Sequence, residues 1–282
     1  MLKWDRQMVE TNRGSFEVFV AGKGDPICVT HLYSEYNQTG DYFAEKFIDC
    51  RQVFLVNLKE AGNSVRVKTA DELSMSETVE DLEAIRSQLG FTSWDFAGHS
   101  TGGMLGLLYA VTKGTSLKSL ILVGAAASRE YKGTKECIYH PEHPQFNRMQ
   151  ELIELLKLPG LSPQERTALA QERTKLSLYS PDRYDRYFSG GASKRMAAKR
   201  LNYFGANDYP EFDLRSQLAE VATPTLIMCG RYDVQCPLWC SVEMRELITG
   251  SKLVIFEHSN HYPFLEEAQA FSDEIYSFLG SL

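Results

Sequence analysis

The sequence predicts an α/β fold: a mostly parallel central sheet with helices on both faces and an inserted helical lid. Three observations lead there. Short apolar, β-branched runs alternate with helical patterns along most of the chain, the order that gives parallel strands joined by crossover helices. Several of the runs are apolar at every position, as strands buried on both faces are. The alternation stops between about residues 126 and 212, where helical patterns continue and no convincing strand is seen. With 282 residues the chain is long enough for one large domain carrying an insertion. The expected division is a core of residues 1–125 and 213–282 around a lid of residues 126–212.

Each element has its own local signal. Residues 16–20 (FEVFV), 27–30 (ICVT) and 53–58 (VFLVNL) read as strands. Ser74 and Glu77 have capping-box spacing, and Val79, Leu82, Ile85 and Leu89 then form a helical stripe that Gly90 ends. Residues 94–97 (WDFA) are a strand, 102–111 an apolar helix and 119–123 (SLILV) the next strand. In the lid, Phe146, Met149, Leu152, Ile153 and Leu156 form one stripe, stopped by Pro159-Gly160. Ser162-Pro163-Gln164-Glu165 restarts a helix with a cap, a first-turn proline and a third-position glutamate. Residues 225–229 (TLIMC) and 252–256 (KLVIF) complete the strands, and Phe271, Ile275, Phe278 and Leu279 give the C-terminal helix its apolar face.

Composition narrows the function. Hydrophobic residues make up 43% and charged residues 24%, as in ordinary globular chains, and the net charge of −7 argues against a nucleic-acid partner. No apolar run approaches the ~18 residues of a membrane span, so no membrane partner is expected. The opening Met1-Leu2-Lys3-Trp4-Asp5-Arg6-Gln7 has no apolar leader core, and a cytoplasmic location is expected. Cys28 and Cys229 sit in apolar runs where a free thiol behaves as a small hydrophobe, and disulfides are not expected.

The stretch FAGHSTGG (96–103) carries the chemistry. Gly98-His99-Ser100-Thr101-Gly102 is a G-x-S-x-G motif between a strand and a helix, the setting of a nucleophile held in a strained turn. A serine hydroxyl is a weak nucleophile and needs a base, a group to orient that base, and donors for the oxyanion. The loop after strand 252–256, FEHSNHYPFLEE, offers His258 and His261. His261 lies further into the loop and is the expected base; His258, nearer the strand end, is expected to be structural. The acid should end an earlier strand, where Asp233 follows strand 225–229 and Glu130 follows strand 119–123. One oxyanion donor is the backbone N–H of Thr101 at the helix start, and the other belongs to the loop after strand 27–30.

Over nearly its whole length the sequence resembles the α/β-hydrolase fold superfamily. The resemblance rests on His31 ending a strand, NLKEAGNS at 57–64, the elbow at 98–102, VATPTLIMCGRYD at 221–233 and HSNHYPFLEE at 258–267. It implies a triad in the order Ser100, Asp233, His261, which favours Asp233 over Glu130, and it implies Tyr33 as the second oxyanion donor. Three positions depart from the usual pattern: Leu32 stands where glycine follows the first histidine, Asn57 where aspartate is usual, and Asn260 where glycine precedes the last histidine. A side chain at Leu32 is expected to alter how closely the loop approaches a substrate.

The expectation is therefore a lidded serine hydrolase cleaving a small carboxylic ester through an acyl-enzyme, with no cofactor and no metal. Prolyl iminopeptidase-like relatives share the lid position and the Gly-x-Tyr-Asp loop, but usually carry His-Gly-Gly-Pro and Gly-Gly-Ser-Trp-Gly, which this chain lacks. A carbon–carbon bond hydrolase and, from another class, a triad-retaining ligand receptor with a protein partner are the further alternatives. An aminopeptidase would need acids near its substrate amine, for which Glu35, Asp208 and Glu211 are the candidates. The lid aromatics Tyr179, Tyr184, Tyr187, Phe188, Tyr203, Phe204, Tyr209 and Phe212 point to a small-molecule substrate with an apolar or aromatic group. Cys137-x-x-His140-x-x-His143 lacks a second ligand pair and reads as lid surface; Cys236 and Cys240 read as core; Lys194, Arg195, Lys199 and Arg200 read as a solvated helix face.

Overall fold

The computed structural model describes residues 4–282. Met1, Leu2 and Lys3, part of the N-terminal stretch read above for a leader, lie outside the described residues. The main sheet has eight strands: β1 (Asp5–Thr11), β2 (Gly14–Gly22), β3 (Pro26–Val29), β5 (Gln52–Val56), β6 (Trp94–His99), β7 (Leu117–Val123), β9 (Thr225–Gly230) and β10 (Lys252–Phe256). Their spatial order is β1-β2-β5-β3-β6-β7-β9-β10. From β5 to β10 every pairing is parallel, while β1–β2 and β2–β5 are antiparallel.

Every strand expected in the core is present. β1 was not expected, because its sequence, DRQMVET, has no apolar run; it forms a half-exposed edge hairpin with β2 and buries only Val9. A second departure lies in the segment 126–212. Two residues of it, β8 (Arg195–Met196), pair antiparallel with β4 (Ser34–Glu35) just after β3. A two-residue strand has no periodicity to read.

The helices start where their caps dictate. Helix α1 (Met75–Gln88) has Ser74 as N-cap, accepting from the Glu77 N–H at 3.2 Å. The box is only half made, because the Ser74 N–H bonds Asp71 instead and the Glu77 carboxylate takes Arg13 at 2.5 Å. Helix α2 (Thr101–Lys113) follows the elbow directly. In the segment 126–212, α3 (Phe146–Lys157) packs on α4 (Pro163–Lys175), and at Ser162 and Glu165 both capping-box bonds form. None of these helices, nor any other among the described residues, is long and apolar enough to cross a membrane.

One apolar core lies on each face of the sheet. Phe16, Phe96, Leu105 and Leu122 belong to one; Phe19, Ile27, Phe47 and Phe271 belong to the other. Within the sheet Asp95 is fully buried; Arg51 pairs with it at 2.6 Å and the Ser119 hydroxyl donates to it at 2.7 Å. A buried carboxylate persists only with such partners.

The topology fixes where a site can form. The chain runs outward from β3 to β5 on one side, then returns to place β6, β7, β9 and β10 on the other. The order reverses between β3 and β6, and a crevice opens beyond the carboxyl ends of strands at such a switch. The loop after β3 and Ser100 after β6 both emerge there.

Candidate active site

Ser100 has φ 57° and ψ −125°, one of two non-glycine residues with positive φ among those described. A non-glycine residue is held in such a conformation only by its surroundings. The Ser100 N–H bonds the Val123 carbonyl at 2.8 Å, and its own carbonyl accepts from Gly103 and Met104. A Cβ at Gly98 would collide with the Gly102 backbone, and one at Gly102 with the Thr30 carbonyl. The two motif glycines thus allow β6, α2 and the loop after β3 to meet around the serine.

His261 and Asp233 come from the loops after β10 and β9. His261 Nδ1 lies 3.0 and 2.9 Å from the two Asp233 oxygens. Asp233 Oδ1 also accepts the backbone N–H groups of Gln235 at 2.8 Å and Cys236 at 2.9 Å. With both residues at 3% exposure or less, this fixes the imidazole with Nδ1 toward the acid and Nε2 away from it. His99 Nε2 bonds the His261 carbonyl at 2.8 Å, and the two rings lie 4.4 Å apart. Burial beside His261 pushes the His99 imidazole well below its usual pKa, so it is neutral at pH 7. The His261 N–H bonds the carbonyl of Ser177, in the segment 126–212, at 3.2 Å.

Gly124 brings the elbow and this pair together. It follows Val123, the residue that holds the Ser100 N–H, and has φ +52°. A Cβ there would stand 2.8 Å from Asp233 Oδ2 and 3.1 Å from His261 Nδ1. Among the described residues Ser100 Oγ makes no hydrogen bond, to His261 or to any other group. Glu130 and His258, the alternatives for acid and base, are both exposed, and neither side chain hydrogen-bonds the pair; His258 packs on Tyr179.

Thr101, as the first residue of α2, carries one of the N–H groups that a helix cannot bond internally. The Tyr33 N–H makes only a long 3.4 Å contact with His31 Nδ1, while His31 Nε2 lies 3.1 Å from Thr101 Oγ1. His31 therefore joins the two expected oxyanion residues. Burial, with help from Lys194 and Arg173, holds its pKa well below the usual value, so Nε2 donates and Nδ1 accepts. Leu32 does not intrude. Its side chain is 1% exposed and packs into the core, while its carbonyl accepts from Arg200 Nε at 2.5 Å.

The other two departures also have structural reasons. Asn57 donates to Glu17 Oε2 at 2.9 Å and to the Tyr36 carbonyl at 3.0 Å, and accepts the Tyr36 N–H at 2.7 Å. An aspartate could not donate to Glu17. Asn260 Oδ1 accepts the Val234 N–H at 2.9 Å and so stitches the acid loop to the histidine loop.

Ser100, Thr101 and Tyr33 open into a cavity of about 420 Å³. Met104, Tyr131, Tyr139, Ile153 and Phe204 supply apolar and aromatic walls. The lining also carries Lys132, Glu154, Lys157, Arg173 and Gln235, which the aromatic content of the lid did not announce. Glu35, Asp208 and Glu211 do not line it. Arg200 is the clearest correction to the sequence reading: it is 2% exposed, not on a solvated face. Its guanidinium also reaches the Lys59 and Leu73 carbonyls and, at 2.7 Å, the Thr78 hydroxyl. Lys194 and Lys199 do lie at the surface side, on Asp41 and Glu60. Among the described residues no group of three or more His, Cys, Asp or Glu is placed to hold a metal ion; Cys137 is buried and bonds the Gln235 carbonyl. Cys236 lines the cavity beside the Asp233 loop, and Cys240 is fully buried.

A family model described as the alpha/beta hydrolase fold matches residues 29–268. An alpha/beta fold family hydrolase from Bacillus anthracis str. Sterne superposes with a TM-score of 0.95 at 43% identity, covering 98% of this chain and 99% of that one. A proline iminopeptidase of Heyndrickxia coagulans is 26% identical over 97% of both chains. A pimeloyl-[acyl-carrier protein] methyl ester esterase of Aliivibrio salmonicida is 25% identical over 92% of this chain and 93% of its own.

Proposed function

This chain belongs to the alpha/beta hydrolase fold family and is a hydrolase, and on that premise we propose that it cleaves a carboxylic ester through an acyl-enzyme on Ser100. The observation that carries the reading is the buried His261–Asp233 pair, 2.9 Å apart, beside a serine in a strained strand-to-helix turn. As the reaction begins, Ser100 Oγ comes within hydrogen-bond reach of His261 Nε2, a contact that is commonly loose before substrate binds. His261 takes the hydroxyl proton while Oγ attacks the carbonyl carbon. The backbone N–H groups of Thr101 and Tyr33 hold the oxyanion. His261 then protonates the departing alkoxide, and in the second half activates water to release the acid. Asp233 keeps the Nδ1–H tautomer and stabilises the imidazolium. The segment 126–212 acts as lid, tied to the histidine loop through Ser177 and to the oxyanion loop through Arg200. Six free cysteines fit a reducing, cytoplasmic setting.

The competing reading is an aminopeptidase, which the iminopeptidase relatives favour. It requires an acid to meet a protonated amine, and an ammonium left unpaired in a closed pocket is costly. The acid lining the cavity, Glu154, is already paired with Lys157 at 2.6 Å, and Arg173 and Lys132 face the same space. That electrostatic balance supports the ester. The test is kcat/KM for p-nitrophenyl butyrate against prolyl and alanyl p-nitroanilides, each divided by its uncatalysed rate. The ester should win by at least about tenfold, or ~1.4 kcal/mol of transition-state preference. If the amides win after that correction, the aminopeptidase reading replaces this one.

A further inference from the structure

Two cations face the cavity without an acid. Arg173, on α4, lines the cavity with Ser100 and Tyr33, and makes no salt bridge among the described residues. Its Nε is buried with no hydrogen-bond partner among them. The groups its charge reaches include Tyr139, Tyr262, Tyr33 and His31, three phenols and an imidazole, with no carboxylate among them. The adjacent Glu172 cannot help, since both its oxygens are held by Arg148 at 2.6 Å. Lys132 Nζ sits 3.7 Å above the Tyr209 ring, with Tyr131 and Tyr139 each at 5.5 Å, and makes no ion pair among the described residues. Burial lowers its pKa, as expected of an ammonium facing rings instead of a carboxylate.

A guanidinium with a buried, unsatisfied N–H at the wall of a reaction cavity is a poor structural element and a good binding one. Folding gains nothing from it, because buried polar groups are ordinarily paired. An anion entering the cavity would supply the missing partner. The planar fork of arginine matches a carboxylate with two parallel hydrogen bonds, whereas Lys132, held over a ring, offers a point charge at longer range.

We propose that Arg173, assisted by Lys132, binds a carboxylate on the substrate, so that the preferred ester is a half-ester of a short dicarboxylic acid. The acid end lies on Arg173 and the ester carbonyl at Ser100, with the chain between them along the aromatic wall. This rests on the ester reading above and specifies its substrate class. It keeps the apolar or aromatic group expected from the aromatics of 126–212 and adds an anionic end to it.

The test compares monomethyl glutarate with methyl valerate, equal in chain length and differing in the charged end, by pH-stat titration. The wild type should favour the anionic ester in kcat/KM by at least about tenfold. Arg173→Gln should lower that ratio toward one, and Arg173→Lys should restore part of it. Calorimetry on Ser100→Ala reads the anion site without catalysis: glutarate should bind, and the Arg173→Gln change in that background should abolish binding. Inorganic phosphate is titrated in parallel. A ratio near one that Arg173→Gln leaves unchanged, with both esters cleaved, overturns the anion site and leaves the ester reading intact. Arg173-dependent binding of glutarate with neither ester cleaved upholds the site and removes the ester reading. Phosphate binding more tightly than glutarate through Arg173 overturns the carboxylate assignment.

Discussion

At Gly124 a missing side chain decides the geometry of the site. Its φ of +52° and its closeness to Asp233 and His261 leave no room for a methyl group. Gly124→Ala should cost about 1–2 kcal/mol of stability through backbone strain alone. It should also lower kcat by at least about tenfold by displacing the pair, since small misplacements of reacting groups are expensive. Urea unfolding and steady-state kinetics separate the two effects. Asp233→Asn should leave the fold intact and cut turnover by about 10⁴, because the imidazole loses its tautomer control. Glu130→Gln, at an exposed position off the site, should be near neutral. The meeting of Asp233 with His261 was legible because each follows a strand in a recognisable local setting. Arg173 and Lys132 were not. α4 is polar on all sides, so nothing along its sequence distinguishes the one arginine that tertiary packing turns toward the cavity.

Among the elements, the junction between the segment 126–212 and the sheet is where sequence reading failed and structure is most informative. KRMAAKRLNY carries its cations at spacings that suggest a solvated face. Yet the helix Ala198–Tyr203 delivers Arg200 into the core, where four acceptors from different segments receive it. No periodicity reports such a pin, because its partners lie more than a hundred residues away. Residues Arg195–Met196, pairing with Ser34–Glu35, are a second stitch at the same junction. Arg200 through the Leu32 carbonyl, and the strand pair through Ser34–Glu35, both bear on the loop that presents the Tyr33 N–H. Arg200→Ala should therefore cost about 3 kcal/mol, the range for charge-assisted hydrogen bonds lost together with the carbonyls they satisfied. Arg200→Lys should recover less than half of it, since an ammonium cannot span the same four acceptors. Urea denaturation of the three proteins checks the order.

For the whole molecule, fold class and topology were readable because a parallel sheet buried on both faces imposes its pattern on many residues at once. Edge strand β1 escaped because it buries one side chain. The same burial makes stability depend on pH. His99 is 7% exposed and its folded pKa lies well below 6.5, so the unfolded chain binds the proton that the fold refuses. Its contribution is complete above pH 6.5 and is lost as the pH falls from there toward the folded pKa, at up to ~1.4 kcal/mol per pH unit. His31 acts in the same direction. Unfolding free energies measured from pH 8 to pH 5 should decline below pH 6.5, and His99→Gln should flatten that decline.

The central claim, that Ser100 carries the acyl group, is tested most directly by intact-protein and peptide mass spectrometry. The protein is mixed with p-nitrophenyl butyrate and quenched in acid within the first turnovers, and in parallel treated with a fluorophosphonate. One butyryl adduct and one phosphonyl adduct should each map to Ser100, and both should vanish in Ser100→Ala. An adduct on any other residue, or one that survives in Ser100→Ala, would contradict the account.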